Sequence, residues 1–561
     1  MSTGQHACPL ASCPVLRHSL DQLLTREWLL TDGLGGFASS TVIGCPTRRY
    51  HGLLVAAKRP PIERYNLLPG VLDRITVADQ TVELSTFEFP DVLHPTGYTL
   101  LSDFEWETGT PDPWVEFTFT HDLFEARKRI TLCTGQRAVR LNYQIAPRVP
   151  GTVRLEVSPL VALRDFHSLR HREMTDPWDL ANETDAVWIH PQRQHEVTLA
   201  LVTTSGEFRW QPDPVWWRNF RYRLERQRGF DQDEDLLNVG TFRAEAAGAL
   251  SCGLAAVGFV GSTAVARELI AGPRPRTVHP VPHGAGSDPV VKRLLAAGDQ
   301  FIVRRESPDA QPARTTILAG YPWFGDWGRD SFIALEGLLL IPGRYAEARQ
   351  VLETFAGAQR DGLIPNRFDD YGHDCAYNSV DASLWFIHAA DAYLTASGDV
   401  AAWDAFLLEA CRGVVRSFCA GTEFDIRVDA RGLVCCGNEQ TQITWMDAKC
   451  DEVVFTPRHG RPVEVNALWY HALHIVAARA EDSDPELAQS CRTVIEQVQG
   501  SFTEVFWNHD ADCLFDCVRD DESDAANTAI DLSVPEIVSC SLGLAKDGLL
   551  NAAMAAPANS A

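Results

Sequence analysis

Short runs of alternating apolar and polar residues dominate the first half of the chain. The clearest are TVELSTFEF (81–89), WVEFTFTHDLF (114–124), AVRLNYQIA (138–146), TVRLEVSPLVAL (152–163) and EVTLALVTT (196–204). They are rich in Val, Phe, Thr and Leu and are bounded by Gly, Pro and Asp, as β-strands are. Many such runs in series predict an antiparallel β-sandwich over residues 26–271. Residues 1–25 precede it as an N-terminal extension.

The pattern changes after residues 272–289, which are crowded with Pro and Gly and predict an interdomain linker. Beyond the linker, apolar residues recur three and four positions apart, which predicts helices. The predicted helical segments are 290–305, 331–340, 345–359, 381–396, 401–418, 464–480 and 485–502. Seven or eight successive helices, some separated by Trp-rich loops, suggest a ring of helical hairpins over 290–561. An irregular bundle would give the same pattern.

Composition and charge narrow the class of protein. With 45% hydrophobic residues among 561, the chain can form more than one large core, and we expect two domains. Its formal net charge of −25 repels nucleic acid and anionic membranes. That charge suits a soluble protein with a neutral substrate, although solubility alone would explain it. The sequence has no Walker phosphate loop, G-x-G-x-x-G, H-E-x-x-H or G-x-S-x-G motif, so nucleotide, dinucleotide, zinc-protease and esterase chemistry lose support.

The remaining general features predict a cytoplasmic protein without cofactors. MSTGQHACPL shows no basic segment followed by an apolar run, so we expect no signal peptide. The 15 cysteines then predict reduced thiols rather than disulfides. They lack zinc-ligand spacing, and we expect no metal site.

The segment AGYPWFGDWGRDSF (319–332) places four of its five aromatic residues around two carboxylates and an arginine, at the start of a predicted helix. Sugars stack their C–H faces on aromatic rings, and their hydroxyls need charged or amide partners. The segment therefore predicts a sugar subsite. A packed loop in which Asp330 caps the helix is the alternative.

Two further segments mix the same residue types. GLIPNRFDDYGHDCAYNSVDASLWF (362–386) combines amides, carboxylates and rings, although Asp381 could simply cap the next helix. TPRHGRPVEVNALWY (456–470) begins another helix, and Glu464 could merely favour its N-terminus electrostatically.

QITWMDAKC (442–450) carries Asp447 in a stretch without helix or strand period. Glycoside hydrolysis needs a carboxylic acid to protonate the leaving oxygen and a second carboxylate to activate water or attack carbon. An apolar wall such as Trp445 and Met446 favours the protonated acid, while Lys449 opposes it. Asp447 is therefore the candidate catalytic acid.

REWLLTDGLGGFASSTVIGCPTRRYHGLLVAA (26–57) stands out in the strand-rich half. Its glycines allow tight turns. The four residues Arg48, Arg49, Tyr50 and His51 form a polar-aromatic knot. A structural role, with a place at the domain interface, is the first interpretation, and a contribution to the substrate pocket is the second.

Together these segments resemble the sequence motifs of a known protein family. The 26–57 segment is similar to the N-terminal signature of bacterial and archaeal glycogen debranching enzymes, the amylo-α-1,6-glucosidase family. AGYPWFGDWGRD, GLIPNRF, YNSVDASLWF, TWMDAK and TPRHGRPVEVNALWY resemble its catalytic-domain signatures in the family's order. The resemblance covers residues 26 to 505.

The resemblance implies a β-sandwich followed by an (α/α)6 six-hairpin barrel that releases glucose from α-1,6 branch points of glycogen-like glucans with inversion. Asp447 matches the general acid, and Arg329 and Asp330 lie where related enzymes hold the terminal glucose hydroxyls. The predicted substrate-binding residues are Tyr321, Trp323, Asp326, Trp327, Arg329, Asp330, Asn366, Tyr377, Asp381, Trp385, Trp445, Lys449, Glu464, Asn466 and Trp469.

The chain departs from the family pattern in two places. Asp32 stands where the family usually has Asn. An R-P-N-Q-like segment, near which the family's general base lies, is not recognisable before the chain ends, and neither Asp531 nor Glu536 is marked as a substitute. We therefore expect a barrel lacking its last helices, with doubtful turnover. A non-catalytic, truncated glucan-binding protein is one alternative, and a different hydrolase or phosphorylase on the same two-domain plan is another.

Overall fold

The computed structural model describes residues 11–12, 18–174, 177–183, 186–271, 288–307, 310–371, 375–519 and 528–529. The chain divides into two compact units, Met1–Ala313 and Arg314–Ala561. The predicted 272–289 linker lies largely outside the described residues, as do Asp531 and Glu536. The described residues include no helix that combines the length and apolarity needed to cross a bilayer.

The first unit is built mainly of strands. They are β1 (Ala11–Ser12), β2 (Glu27–Thr31), β3 (Phe37–Thr41), β4 (Gly52–Arg59), β5 (Ile62–Leu68), β6 (Gly70–Val77), β7 (Gln80–Glu83), β8 (Thr86–Phe89), β9 (Val92–Thr96), β10 (Leu101–Glu107), β11 (Trp114–Thr120), β12 (Phe124–Leu132), β13 (Ala138–Pro147), β14 (Thr152–Val161), β15 (Arg164–Asp165), β16 (Trp178–Glu183), β17 (Ala186–Pro191), β18 (Leu199–Ser205), β19 (Arg209–Gln211), β20 (Val215–Arg221), β21 (Asp233–Asn238), β22 (Thr241–Ala247), β23 (Leu250–Gly258) and β24 (Ile302–Ser307), with β25 (Ala310–Ile317) crossing the boundary between the units. Four short helices accompany them: α1 (Leu20–Leu24), α2 (Arg223–Gln227), α3 (Thr263–Ala271) and α4 (Pro289–Gly298).

Three antiparallel sheets share the core of this unit. The largest has the order β1-β10-β11-β12-β13-β23-β18-β17-β16, the second is built around β14, and the third runs β15-β5-β4-β3-β2. One apolar cluster contains Leu54 of β4, Val115 of β11 and Leu155 of β14, all fully buried. The predicted antiparallel sheet domain is confirmed, because alternating residues of different sheets fill a common core.

The prediction of a helix over 290–305 is wrong for the second half of that range. Helix α4 ends at Gly298, a single 3-10 turn follows, and β24 begins at Ile302. The backbone N–H groups of Arg304 and Glu306 donate to the carbonyls of Gly33 and Pro60. These bonds to a neighbouring segment make extended backbone more favourable than continuing the helix.

The second unit is mainly helical. Its helices are α5 (Gly328–Leu335), α6 (Tyr345–Gly357), α7 (Asp381–Ser397), α8 (Val400–Ala402), α9 (Leu408–Ala420), α10 (Val463–Arg479) and α11 (Pro485–Phe506), with π-helical turns at Glu336–Leu340 and Trp403–Leu407. Short strands join them: β26 (Arg427–Val428), β27 (Val434–Cys435), β28 (Lys449–Cys450), β29 (Val453–Val454), β30 (Arg461–Pro462), β31 (Trp507–Asn508), β32 (Cys513–Val518) and β33 (Thr528–Ala529).

Helices α5, α7 and α10 form a central row, in which α5 packs on α7 and α7 packs on α10. Helices α7 and α10 are buried on most of their surface, as expected for helices that are apolar nearly all round. Helices α6, α9 and α11 pack beside this row and keep a polar side. The N-terminal ends of the three central helices lie within the three segments that predicted the sugar site.

Candidate active site

Arg329 is the centre of an ion-pair cluster in the helical unit. It lies in the first turn of α5, and its Nε and Nη2 donate to Asp381 Oδ2 and Oδ1 at 2.7 and 3.0 Å. Its Nη1 donates to Asp447 Oδ2 at 3.1 Å. A guanidinium that binds one carboxylate through two parallel bonds has a fixed orientation. The first turns of α5 and α7 and the QITWMDAKC loop therefore meet at one side chain.

Two residues that the sequence interpretation missed support this cluster. The Ser379 hydroxyl donates to Asp381 Oδ1 at 2.6 Å and accepts from the Ala382 N–H at 3.1 Å. The Thr444 carbonyl accepts from Arg329 Nη2 at 3.1 Å. A serine just before a helix is a common cap signal, and it could have identified Ser379. A backbone carbonyl such as that of Thr444 leaves no mark in the sequence.

The loop that carries Asp447 is closed at its base and held against α7. Cys436 and Gly460 exchange two backbone hydrogen bonds of 2.8 and 2.9 Å. The Val380 N–H donates to the Ile443 carbonyl at 2.8 Å, immediately before α7. The position of Asp447 is thus determined by a closed loop, although the stretch has no helix or strand period.

Exposure distinguishes the members of the cluster. The side chains of Asp381, Arg329 and Asp447 are 4%, 11% and 23% exposed. Asp381 is therefore the most deeply buried member of the cluster, and Asp447 is the member most exposed to solvent.

Burial and neighbouring charges alter two pKa values in this cluster. Burial works against the charge of Arg329, but the carboxylates of Asp381 and Asp447 outweigh it and raise the pKa of Arg329 above its ordinary range. Burial, aided by the negative charges of Asp447 and Asp381, raises the pKa of Asp330, although Arg329 opposes this. Arg329 is therefore a permanent cation, and Asp330 takes up a proton more readily than an ordinary aspartate.

Aromatic side chains line the same region of sequence. Tyr321, Trp323 and Trp327 are half-buried, and Phe324 is exposed. The Phe324 ring lies 6.4 Å from that of Trp323 and 5.6 Å from that of Trp327. Trp445 is half-buried two residues before Asp447, and its Nε1 is buried without a hydrogen-bond partner. Such half-buried rings offer faces on which a sugar ring can stack.

Other predicted sugar contacts lie inside the protein. Trp469 is fully buried and its Nε1 donates to the Gly432 carbonyl, while Asn466 bonds to both backbone groups of Val434. Asp326 is also fully buried and accepts from the Thr316 hydroxyl at 3.0 Å. In these positions the three side chains connect elements of the unit.

Further members of the predicted set have contacts outside the three ion-paired side chains, and the Asn366 carbonyl accepts from the Gly328 N–H, next to Arg329, at 2.7 Å. Glu464 forms a two-bond ion pair with Arg458, at 2.6 and 2.7 Å, and Arg458 also binds Asp516. Tyr377 donates to the Ala358 carbonyl, and Lys449 lies on an exposed hairpin 3.9 Å from a Glu452 oxygen. Asn366 and Trp385 are buried, and the Trp385 ring packs edge-on against His388.

The knot at residues 48–51 belongs to the first unit. Arg49 pairs with buried Glu225 at 3.2 Å, and the Tyr50 hydroxyl lies 3.1 Å from His167 Nδ1. These contacts support the structural interpretation of the knot. Among the described residues there is no group of three or more His, Cys, Asp or Glu that could hold a metal ion.

The fold is similar to that of solved structures. A bacterial glucoamylase in complex with acarbose aligns with a TM-score of 0.51 and 9% identity, covering 88% of this chain and 68% of that one. A putative kojibiose phosphorylase from the human microbiome aligns with a TM-score of 0.44 and 10% identity, over 86% and 68% of the two chains. An antiparallel sheet unit followed by helices is thus a fold that this chain shares with the bacterial glucoamylase.

Family models identify the relationship more closely. "Glycogen debranching enzyme N terminal" matches residues 26–251, and "Amylo-alpha-1,6-glucosidase" matches residues 296–541. The chain belongs to the glycogen debranching enzyme family. The glycogen debranching enzyme of Saccharomyces cerevisiae is 26% identical over 247 residues, which cover 33% of this chain and 16% of the yeast enzyme. The match therefore spans a small part of that relative's length.

Proposed function

We propose that this chain is a glycoside hydrolase that releases glucose from α-1,6 branch points of glycogen-like glucans. The observation that supports this most directly is the Arg329–Asp381–Asp447 cluster, which lies within the amylo-α-1,6-glucosidase match. The order of the sequence motifs favours the bacterial and archaeal type of the family. The substrate is a neutral glucan, and the proposal requires no cofactor.

In this proposal Asp447 is the general acid that protonates the leaving glycosidic oxygen. It is the most exposed of the three clustered groups, and its bond to Arg329 uses only Oδ2. Trp445 and Trp327 provide stacking surfaces, and Arg329 with Asp330 binds sugar hydroxyls. An inverting reaction requires a second carboxylate to activate water on the opposite face of the sugar. We assign no sugar contact to the buried Asp326, Asn466 and Trp469.

We further infer that the helical unit follows the (α/α)6 plan. The central row of α5, α7 and α10, with α6, α9 and α11 beside it, is the packing expected of three successive helical hairpins. In such a ring the loops before the inner helices gather at one end. That arrangement accounts for the meeting of Arg329, Asp381 and Asp447.

The proposal is tested by incubating the pure chain with a branched limit dextrin, with and without phosphate. We expect glucose release that does not depend on phosphate. Asp447→Asn should lower kcat about 10²–10⁴-fold, because the leaving oxygen loses its proton donor. Asp451→Asn is the matched control, since Asp451 is exposed on the same loop with a positive φ that Asn tolerates.

Other outcomes would contradict the proposal in distinct ways. Retention on a glycogen affinity gel without glucose release would identify a binding protein that does not turn over. Glucose 1-phosphate formed only with phosphate would identify a phosphorylase. Equal losses in Asp447→Asn and Asp451→Asn would remove Asp447 from the catalytic role.

A further inference from the structure

A second candidate ligand site lies in the first unit. A cavity of about 520 Å³ opens between the nine-stranded sheet, the five-stranded sheet and helix α4. Its volume is in the range of about 300–1,000 Å³ that is typical of small-molecule sites. All its lining residues belong to Met1–Ala313, and none belongs to the Arg329 cluster.

Aromatic side chains form two walls of this cavity. Phe104 and Trp106 lie two positions apart on β10 and therefore point to the same face of the sheet, with their ring centroids 5.9 Å apart. Trp28 and Leu30, also two apart, line the cavity from β2. Phe104 and Trp28 are buried, whereas Trp106 is half-buried and remains partly open to solvent.

Helix α4 and the turn after it provide a third wall. Arg293, Ala297 and Gln300 line the cavity at positions i, i+4 and i+7, which share one helical face. None of the residues of α4 is buried, so this helix leaves the space beside the sheet unfilled. The Arg293 guanidinium carbon lies 5.9 Å from the Trp106 ring centroid.

The polar groups of the cavity carry both signs of charge. Arg26 and Arg293 are cations, Glu27 is an anion, and Gln300 can both donate and accept. Glu27 Oε1 lies 2.8 Å from Arg48 Nε and 3.7 Å from His51 Nε2. Burial works to raise the pKa of Glu27, but His51 and Arg48 outweigh it and keep that pKa below its ordinary value.

This mixture favours an uncharged polyhydroxylated ligand. The lining carries two arginines and one carboxylate, whose Oε1 already pairs with Arg48, so it offers both donors and acceptors rather than a charge of one sign. Hydroxyl groups both donate and accept, so they can bond to Glu27, Gln300 and the arginines together. The apolar face of a pyranose ring can stack on the indole of Trp106.

We propose that this cavity is an accessory binding site for a short segment of α-glucan, with Trp106 as the stacking surface and Arg293 and Glu27 as hydroxyl partners. The choice of an α-glucan rather than another neutral saccharide rests on the function proposed above. The role of the 48–51 knot then includes holding Glu27 as a charged member of this wall.

The experiment measures maltoheptaose binding by calorimetry and glycogen affinity by gel retardation, in an Asp447→Asn background that does not consume the ligand. We expect Trp106→Ala to weaken glycogen affinity about fivefold to tenfold and to remove one of two maltoheptaose sites. Arg293→Ala should weaken the same binding, and Lys292→Ala, the neighbouring exposed cation on α4, should not.

Arg293 is exposed, so Arg293→Ala keeps the test valid if Trp106→Ala fails to fold. Wild-type glycogen affinity in both Trp106→Ala and Arg293→Ala would overturn the accessory site. Binding of glucose 1-phosphate without maltoheptaose would overturn the ligand class. Glucan binding that depends on Trp106, in a wild-type chain that releases no glucose, would refute the proposed function while retaining this site.

Discussion

At the scale of single residues, Asp32 is a buried carboxylate with an altered pKa. It is fully buried at the end of β2, and its Oδ1 accepts from the N–H groups of Leu34 and Gly36 at 2.7 and 2.9 Å. Its Oδ2 is buried without a hydrogen-bond partner. Burial raises the pKa of Asp32 to about 7, although the two N–H groups and Arg137 oppose it.

The direction in which stability changes with pH follows from the difference between the folded-state and unfolded-state pKa values of Asp32. The folded-state pKa lies above the ordinary value of 3.8, so the folded chain holds this proton more tightly than the unfolded chain. The associated stability is fully present below pH 4 and is lost as the pH rises through 7. With each pKa unit worth about 1.4 kcal/mol, the loss reaches about 4 kcal/mol at most.

Asp32→Asn tests this dependence, because it keeps the side-chain shape and oxygen acceptor but removes the ionisation. We expect the wild-type chain to lose stability relative to the variant between pH 5 and pH 8. Urea unfolding of both proteins across that range provides the measurement. Parallel stability curves would contradict a buried titrating Asp32.

Single residues also show which members of the candidate site the sequence patterns could identify. The residue types of the WGRD and TWMDAK segments indicated Arg329 and Asp447, because charged groups beside tryptophan are unusual in ordinary loops. The same reasoning selected Asn466 and Trp469, which the structure places in the interior. Residue type alone cannot separate the two cases, because buried amides and rings make hydrogen bonds similar to those a sugar would make.

At the scale of elements, α10 depends on an amide inside its first turn. Asn466 Oδ1 accepts from the Val434 N–H at 2.7 Å, and its Nδ2 donates to the carbonyls of Val434 and Pro462. These bonds attach β27 to the start of α10. They therefore stabilise the base of the loop that carries Asp447.

Asn466→Ala should lower the free energy of unfolding by about 2–4 kcal/mol, because both backbone groups of buried Val434 lose their partner. Asn378→Ala, at a half-buried loop asparagine of the same unit, is the control and should change stability by less than about 0.5 kcal/mol. Urea unfolding at fixed pH measures both variants. A change in KM for Asn466→Ala at unchanged stability would instead favour the original interpretation as a sugar contact.

At the scale of the whole molecule, the chain consists of two compact units with separate secondary structure. A sheet unit and a helical unit, each with its own buried residues, need not unfold together. We expect two transitions in scanning calorimetry. Asp32→Asn should move one and Asn466→Ala the other, because these residues lie in different units. One transition that both substitutions shift equally would show a single cooperative unit.

By itself, the sequence determined the strand-rich and helix-rich halves of the chain and its family. Alternating and helical apolar periods predict the strand-rich and helix-rich halves, because each period places one face of an element in the core. Long ordered motifs carried the resemblance, and the family models match both halves.

Only the tertiary structure decided which polar residues meet. Asp381 lies 52 positions after Arg329, and Asp447 lies 118 positions after it. The Thr444 carbonyl joins them through a contact that no local pattern contains. The cavity beside Trp106 likewise depends on two sheets and a helix that are distant in sequence. Local periodicity reports which face of an element is buried, whereas a site depends on how the ends of several elements come together.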